Sequence, residues 1–215
     1  MPDDEISALP PARSVKELTD PKALRALAHP IRLALLGLLR TEGPLTATKA
    51  GELLGESSAS ASFHLRQLSK YGLVEEAGGG TGRERPWQAT TMFTNVPHFA
   101  DNPEFDAASG LFRALVAERY FNATMQWLEQ RPTEPQEWQN AATQSDVWMF
   151  LTPDELVALT EQVQALLDVY LDRLTDPALR PPGARLVQHV ELAFPIDNRP
   201  ARAARDREAS EGGTS

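Results

Sequence analysis

The stretch 51-GELLGESSASASFHLRQLSKYGLVEEAGGGTGRER-85 decides the fold of this chain. Its apolar residues recur at helical spacing in two short segments separated by Gly55, and an alternating segment with a glycine-rich tip follows. Ser57 or Ser58 can accept the free N–H groups at the start of the second helix as an N-cap. The pattern therefore predicts a helix, a tight turn, a second helix and a β-hairpin.

The second helix of this stretch, residues 58–71, is predicted to have one buried and one polar face. The buried stripe consists of Ala61, Leu65, Leu68 and Gly72. The opposite face carries hydroxyls, an aromatic ring, an amide and cations, namely Ser60, Ser62, Phe63, Arg66, Gln67 and Lys70. No carboxylate occurs between Ser57 and Tyr71. This composition is typical of a helix that lies against phosphates and base edges.

With the preceding run LAHPIRLALLGLL at residues 27–39, the stretch resembles the ArsR-type winged helix-turn-helix repressors of bacteria. The resemblance covers residues 15–91, which is under half of the chain. It implies a DNA-binding winged helix, repression of transcription, and a structural junction between helices at the His29-Pro30-x-Arg32 corner. A histidine before a proline is also by itself more typical of a hydrogen-bonded structural residue than of a ligand.

Charge is divided unevenly along the chain. The whole chain has a formal net charge of −9, whereas residues 20–95 contain nine Lys and Arg against seven Asp and Glu and therefore carry +2. The remaining residues consequently sum to −11. Only the N-terminal half can approach DNA without strong repulsion.

Composition narrows the class of protein. The hydrophobic share of 41% is sufficient for a packed core, and no apolar run approaches the ~18 residues of a membrane span. The first residues lack the basic and apolar regions of a signal peptide, so we expect a cytoplasmic protein. The absence of cysteine excludes disulfides, thiolate zinc sites and a cysteine nucleophile.

Neither a metal, a cofactor nor an enzymatic activity is predicted. The four histidines, His29, His64, His98 and His189, are scattered without ligand spacing. For His64 we expect a packing role or a phosphate contact. The glycine run at residues 78–82 lacks the lysine of a phosphate-binding loop, and no GxSxG or HExxH motif occurs.

The predicted fold class is mainly α with a small β component, that is, α+β. We expect a disordered tail over residues 1–14, a winged helix-turn-helix domain over 15–95, a C-terminal α+β region for dimerisation over 96–196, and a second disordered tail over 197–215. A long amphipathic helix is predicted for residues 104–130, and a helix with a capping box begins at Thr152. Residues 146–151 and 186–196 are predicted to pair as a small two-stranded sheet.

Four aromatic residues of the C-terminal half have two interpretations. Trp148, Phe150, Tyr170 and Phe194 either line a pocket for a small-molecule effector or form core. Core is the favoured interpretation.

The resulting hypothesis is a homodimeric, sequence-specific DNA-binding regulator, with helix 58–71 in the major groove. The residues predicted to contact DNA are Thr46, Thr48, Lys49, Ser58, Ser60, Ser62, Phe63, Arg66, Lys70, Arg83 and Arg85. Of these, the two wing arginines are expected on the backbone or in the minor groove. The alternative is a winged helix that binds only protein. The overall negative charge of the chain favours this alternative, whereas the absence of carboxylates from helix 58–71 argues against it.

Overall fold

The computed structural model describes residues 9–78 and 85–196, and within them it has the predicted α+β architecture. The helices are α1 (Pro21–Leu27), α2 (Pro30–Thr41), α3 (Ala47–Leu54), α4 (Ser58–Ser69), α5 (Pro103–Gln130), α6 (Gln136–Ala141) and α7 (Pro153–Thr175). The strands are β1 (Val15–Glu17), β2 (Leu45–Thr46), β3 (Val74–Glu76), β4 (Pro86–Ala89) and β5 (Phe93–Asn95). No helix among the described residues is sufficiently long and apolar to cross a membrane.

Side-chain caps begin most helices where the sequence predicts them. Thr46 accepts a hydrogen bond from the Lys49 N–H at 3.1 Å, and Ser57 accepts one from Ser60 at 3.1 Å. Gly55 ends α3 in the left-handed conformation, with φ of 70°, which a residue with a Cβ rarely adopts. The capping box at the start of α7 is present as predicted. These local signals confirm the predicted starts of α4 and α7, whereas α4 ends at Ser69 rather than at residue 71.

The predicted hairpin is formed by β3 and β4, which pair antiparallel, and β2 adds to the other edge of β4. We call the segment 74–89 the wing. Its tip, including Arg83, lies outside the described residues. A second, parallel pair joins β1 to β5, with Val15 opposite Phe93. Residues 9–14, expected to belong to a disordered tail, lie against the fold, since Pro10 and Ala12 are buried. Residues 1–8 and 197–215, also predicted to be disordered, lie outside the described residues.

One hydrophobic core holds α1 to α4, the wing and the start of α5. Leu24, Leu35 and Leu65 are fully buried in it. The first turns of α5 belong to the same core, because Phe105 and Ala108 are also fully buried. α5 is thereby fixed to the winged helix rather than joined to it by a flexible linker.

The predicted C-terminal sheet is wrong for the described residues. Segments 146–151 and 186–196 have no regular secondary structure, and neither forms a strand pair or a backbone–backbone hydrogen bond with another described residue. Trp148 is 80% and Phe150 94% exposed, and Tyr170 and Phe194 are exposed as well, so they form neither a core nor an enclosed pocket within this chain. The alternating pattern gives a strand propensity, but a strand forms only beside a neighbour to pair with.

Candidate nucleic-acid interface

In the turn between α3 and α4, the backbone at residue 56 packs closely against the backbone of Gly51 in α3. The Glu56 N–H donates to the Gly51 carbonyl at 2.8 Å. A Cβ at position 51 would lie 2.8 Å from the Glu56 carbonyl oxygen, closer than real Cβ atoms approach. Gly51 is therefore required for the angle between the two helices. Sequence reasoning missed this role, although a glycine inside a helical pattern is a signal of close backbone approach.

The outward face of α4 presents a row of side chains that we call the α4 row. It consists of Ala59, Phe63, Arg66 and Lys70, all exposed, at helical positions i, i+4, i+7 and i+11. Ser58 is exposed beside it, whereas Ser60 and Ser62 are half-buried at its margins. Phe63, Arg66 and Lys70 thus lie on one face of the helix, whereas the predicted contact residues Ser58 and Ser62 flank this face on one side and Ser60 on the other. Ala59 was not predicted, although its spacing from Phe63 would have identified it.

The cations of the α4 row have little to bind within the chain. Arg66 has neither an ion pair nor a side-chain hydrogen bond among the described residues, and Lys70 reaches only the Gln67 side chain, at 3.5 Å. Phe63 is 51% exposed and meets the ring of His64 edge-on, with centroids 5.2 Å apart. A guanidinium, an ammonium and an aromatic ring are thus available to an external partner.

The start of α3 lies beside the start of α4. Thr48 Oγ1 and Ser58 Oγ form a hydrogen bond of 3.1 Å that joins the two helix N-termini. Lys49 is exposed and forms an i,i+3 ion pair with Glu52 at 3.3 Å. The Thr46 hydroxyl accepts the cap hydrogen bond, so the hydroxyls of both Thr46 and Thr48 take part in hydrogen bonds within the fold.

At the base of the wing, Arg85 is not a free cation. Its Nη1 lies 2.9 Å from Glu76 Oε2 in an exposed ion pair. The neighbouring Glu75 accepts a hydrogen bond of 2.9 Å from the Gln88 side chain. Arg85 is the only one of the two predicted wing arginines among the described residues, and carboxylates of the wing lie close to it.

Behind α4, the inner face of the helix contacts the His-Pro corner. His29 caps α2, because its Nδ1 accepts a hydrogen bond from the Ile31 N–H at 3.2 Å, which confirms the predicted structural role. His64 is buried against it, so its role is packing rather than phosphate contact. Burial lowers the pKa of both histidines, the charge of Arg32 lowers each pKa further, and Glu56 opposes these shifts.

A partly buried arginine, which sequence reasoning missed, ties α2 to the strand that follows the wing. Arg40 donates from Nε to the Thr91 carbonyl at 2.8 Å and from Nη2 to Thr94 Oγ1 at 2.7 Å. Burial, and then the nearby charge of Arg119, lower the pKa of Arg40 to about 10. A basic residue in the last turn of a helix is usually on the surface, so the sequence pattern does not distinguish Arg40.

Comparison with known families bears on this geometry. No curated protein matches the chain. A family model described as a helix-turn-helix domain matches residues 27–77, which run from the end of α1 through α2, α3 and α4 to the strand β3. The matched range contains the close turn at Gly51 and the whole α4 row. Residues 27–77 therefore form a helix-turn-helix domain, and this supports a DNA-binding transcription regulator.

Proposed function

We propose that the chain is a cytoplasmic, ArsR-type repressor that binds a specific DNA sequence as a homodimer and has no catalytic activity. The observation that carries this proposal is the α4 row: an exposed, acid-free face on the second helix of a helix-turn-helix domain. In such domains the second helix enters the major groove. The wing would lie on the adjacent backbone or minor groove.

The side chains of the α4 row suit different parts of the DNA. The guanidinium of Arg66 has no side-chain partner among the described residues, and it can bind guanine O6 and N7 with two hydrogen bonds or bind a phosphate. Phe63 and Ala59 are apolar and exposed, and can contact thymine methyl groups. Lys70, at the end of the helix, is suited to a phosphate.

The start of α3 is suited to the backbone rather than the bases. Thr48 and Lys49 are exposed there, next to the N–H groups at the N-terminus of α3, and such a helix end favours anions. In this proposal Thr46 orients α3 through its cap, whereas Lys49 exchanges its weak exposed pairing with Glu52 for a phosphate.

The dimer is proposed because one helix-turn-helix domain reads only a half-site. α5 has 28 residues, so it is about 42 Å long, and its first turns are fixed to the winged helix. Recognition helices of a dimer must lie about 34 Å apart to read half-sites one DNA turn apart. A long helix anchored to each domain can set that separation.

A second candidate function is protein binding through the same surface. The observation in its favour is Phe63, since a half-exposed aromatic ring is a common anchor in protein interfaces. The net charge of −9 also agrees with it. The absence of acids from the α4 row argues against it, because a protein-binding surface has no reason to exclude them.

The test is fluorescence anisotropy with DNA from upstream of the chain's own gene, at two salt concentrations. We expect Arg66→Ala to lose about 1–3 kcal/mol of binding and to relax sequence discrimination. The double variant Arg83→Ala/Arg85→Ala should weaken binding to all sequences alike and lower the salt slope by about one to two. Lys22→Ala, an exposed cation on α1, is the matched control and should bind as the wild type does.

The two candidate functions give different results. Tight binding that weakens with salt and depends on Arg66 supports the DNA-binding regulator. Binding that is equally weak on every sequence, together with a stoichiometric protein partner whose binding requires Phe63, would support the protein-binding function instead.

A further inference from the structure

The C-terminal half of the chain does not bury a core of its own. None of the residues 110–196 is buried. Of the 24 large apolar side chains that are exposed among the described residues, all but Val15, Leu53 and Phe63 lie beyond residue 98. A monomeric protein rarely exposes apolar patches of more than a few hundred Å². The concentration of apolar surface in this half therefore indicates an interface.

Two segments without regular secondary structure carry much of this surface, and the backbone of both is unpaired among the described residues. Segment 146–151 is apolar on both faces, which is typical of a central strand buried on both sides. Segment 186–196 is apolar on one face, through Leu186, Val190, Leu192, Phe194 and Ile196. Neither forms a backbone–backbone hydrogen bond with any described residue. Each is thus a segment with the sequence pattern of a strand but without a pairing neighbour among the described residues.

Helix α7 lies between these segments and is also incomplete. None of its 23 residues is buried. Val157, Leu166, Val169 and Tyr170 are more than half exposed on it. Because the stability of a protein helix comes mainly from packing of its apolar face, α7 requires a surface to cover.

The net charge of this half limits the class of molecule that can bind it. Residues 104–196 contain fourteen Asp and Glu against six Lys and Arg. DNA and anionic membranes, which are densely anionic, would be repelled by this half, so the partner is a protein, and a second copy must meet it through apolar rather than charged residues. Trp148, Phe150 and Phe194, which are 67–94% exposed, alone offer on the order of 400 Å² of apolar surface. With the aliphatic residues of the two segments, this approaches the ~800 Å² per partner of a stable complex.

We propose that segments 146–151 and 186–196 dock on a second copy of this chain by strand addition, forming a sheet shared between two subunits under the α7 helices. Each copy contributes both segments, so in a two-fold symmetric dimer every segment can pair its backbone with a segment of the other copy. The choice of a second copy rests on the proposed function, in which two identical subunits bind two half-sites.

Hydrogen exchange at two protein concentrations tests the proposal without any substitution. The dimer is recognised by twice the 23.7 kDa mass of the chain. In it we expect the amides of residues 146–151 and 186–196 to be protected from exchange. Dilution should dissociate the dimer and remove this protection at the same time. Free exchange of these amides in a dimer, or their protection in a monomer, would overturn the shared sheet. A chain that stays monomeric at every concentration would do the same.

Phe150→Asp provides an independent readout, with Leu53→Asp as the matched control. Both positions are exposed, but Leu53 lies in α3 of the helix-turn-helix domain. A charge at the centre of the interface should weaken the dimer by about 30-fold or more, because central aromatic residues dominate interface energies, whereas Leu53→Asp should leave the mass unchanged. Protected amides in α2 and α4 would show that the Phe150→Asp variant remains folded.

DNA binding separates this inference from the proposed function. If Phe150→Asp is monomeric yet retains weak, Arg66-dependent binding to a single half-site, both stand. If Phe150→Asp remains dimeric and binds DNA as the wild type does, the shared sheet is wrong while the regulator proposal stands. If the wild type is a dimer with protected segments but binds no DNA, the shared sheet stands and the regulator proposal fails.

Discussion

The imidazole rings of His29 and His64 lie with their centroids 4.5 Å apart and their planes tilted by 40°. His29 caps α2 and His64 lies on the inner face of α4, so this contact joins the two helices directly behind the α4 row. The guanidinium of Arg32 disfavours a further positive charge here, and Glu56 favours one. Neutral histidines therefore suit the folded state.

This pair predicts that acid destabilises the helix-turn-helix domain. The folded-state pKa values of both histidines are lowered below the ordinary value of 6.5, so between that value and the folded values the unfolded chain binds more protons. Stability is full above pH 6.5 and is lost as the pH falls through this window. Protonation of His29 at Nδ1 would also remove its cap hydrogen bond. Denaturant unfolding at pH 7.5 and 5.5 should show a lower free energy of unfolding at the lower pH.

Substitution of one ring should reduce that pH dependence. His64→Gln removes one of the two shifted groups, and the slope of unfolding free energy against pH should fall accordingly. His98→Gln, at an exposed position in the segment before α5, is the control and should keep the wild-type slope. Equal slopes in all three proteins would show that the histidine pair does not govern the acid response.

Gly51 and Gly110 predict opposite responses to the same substitution. At Gly51 an added Cβ would lie 2.8 Å from the Glu56 carbonyl oxygen, whereas at Gly110 it would meet nothing within 4 Å. We expect Gly51→Ala to lower the free energy of unfolding by about 1–3 kcal/mol and to weaken DNA binding, because the α3–α4 angle must open. Gly110→Ala, at the eighth residue of the 28-residue α5, should raise the free energy of unfolding by up to about 1 kcal/mol. Thermal unfolding of the two variants compares them directly, and a stabilised Gly51→Ala protein would contradict the close-turn assignment.

Arg40 predicts a large cost for a single truncation. Arg40→Ala leaves the Thr91 carbonyl and the Thr94 hydroxyl without their donor, next to the pairing of β5 with β1. Unfolding free energy should fall by about 2–4 kcal/mol, as expected for the loss of two charged hydrogen bonds in a partly buried site. Arg25→Ala, which removes an exposed pairing with Glu104 at 3.7 Å, should cost less than about 1 kcal/mol. Similar losses in the two variants would show that Arg40 acts as a surface residue.

The parts of this fold that the sequence predicts are those decided within a few residues. Thr46, Ser57 and Thr152 each cap a helix by accepting a hydrogen bond from the N–H three residues ahead, so their pattern is complete in a short window. The outward face of α4 follows from the same local periodicity.

The parts that could not be predicted depend on distant partners. β1 pairs with β5, which lies at the other end of the N-terminal half in sequence. Arg40 likewise donates to Thr94, more than fifty residues further along the chain. Segment 146–151 has the composition of a strand, but composition does not say which chain supplies its neighbour. The ion pair of Arg85 with Glu76 depends in the same way on how the hairpin closes.

That ion pair predicts that one substitution strengthens DNA binding. Glu76→Gln removes a carboxylate 2.9 Å from the Arg85 guanidinium, so it frees a cation and removes an anion on the surface proposed to face phosphates. Stability should change by less than about 1 kcal/mol, because the pair is exposed. DNA affinity at low salt should rise several-fold, and the slope of log affinity against log salt should steepen by about 0.9 for one added phosphate contact.

The control is Glu104→Gln, which also neutralises an acid in an exposed ion pair but at the start of α5, and it should leave both the affinity and the slope unchanged. Anisotropy titrations at three salt concentrations measure both quantities, and an unchanged slope in Glu76→Gln would mean that the base of the wing does not contact the DNA backbone.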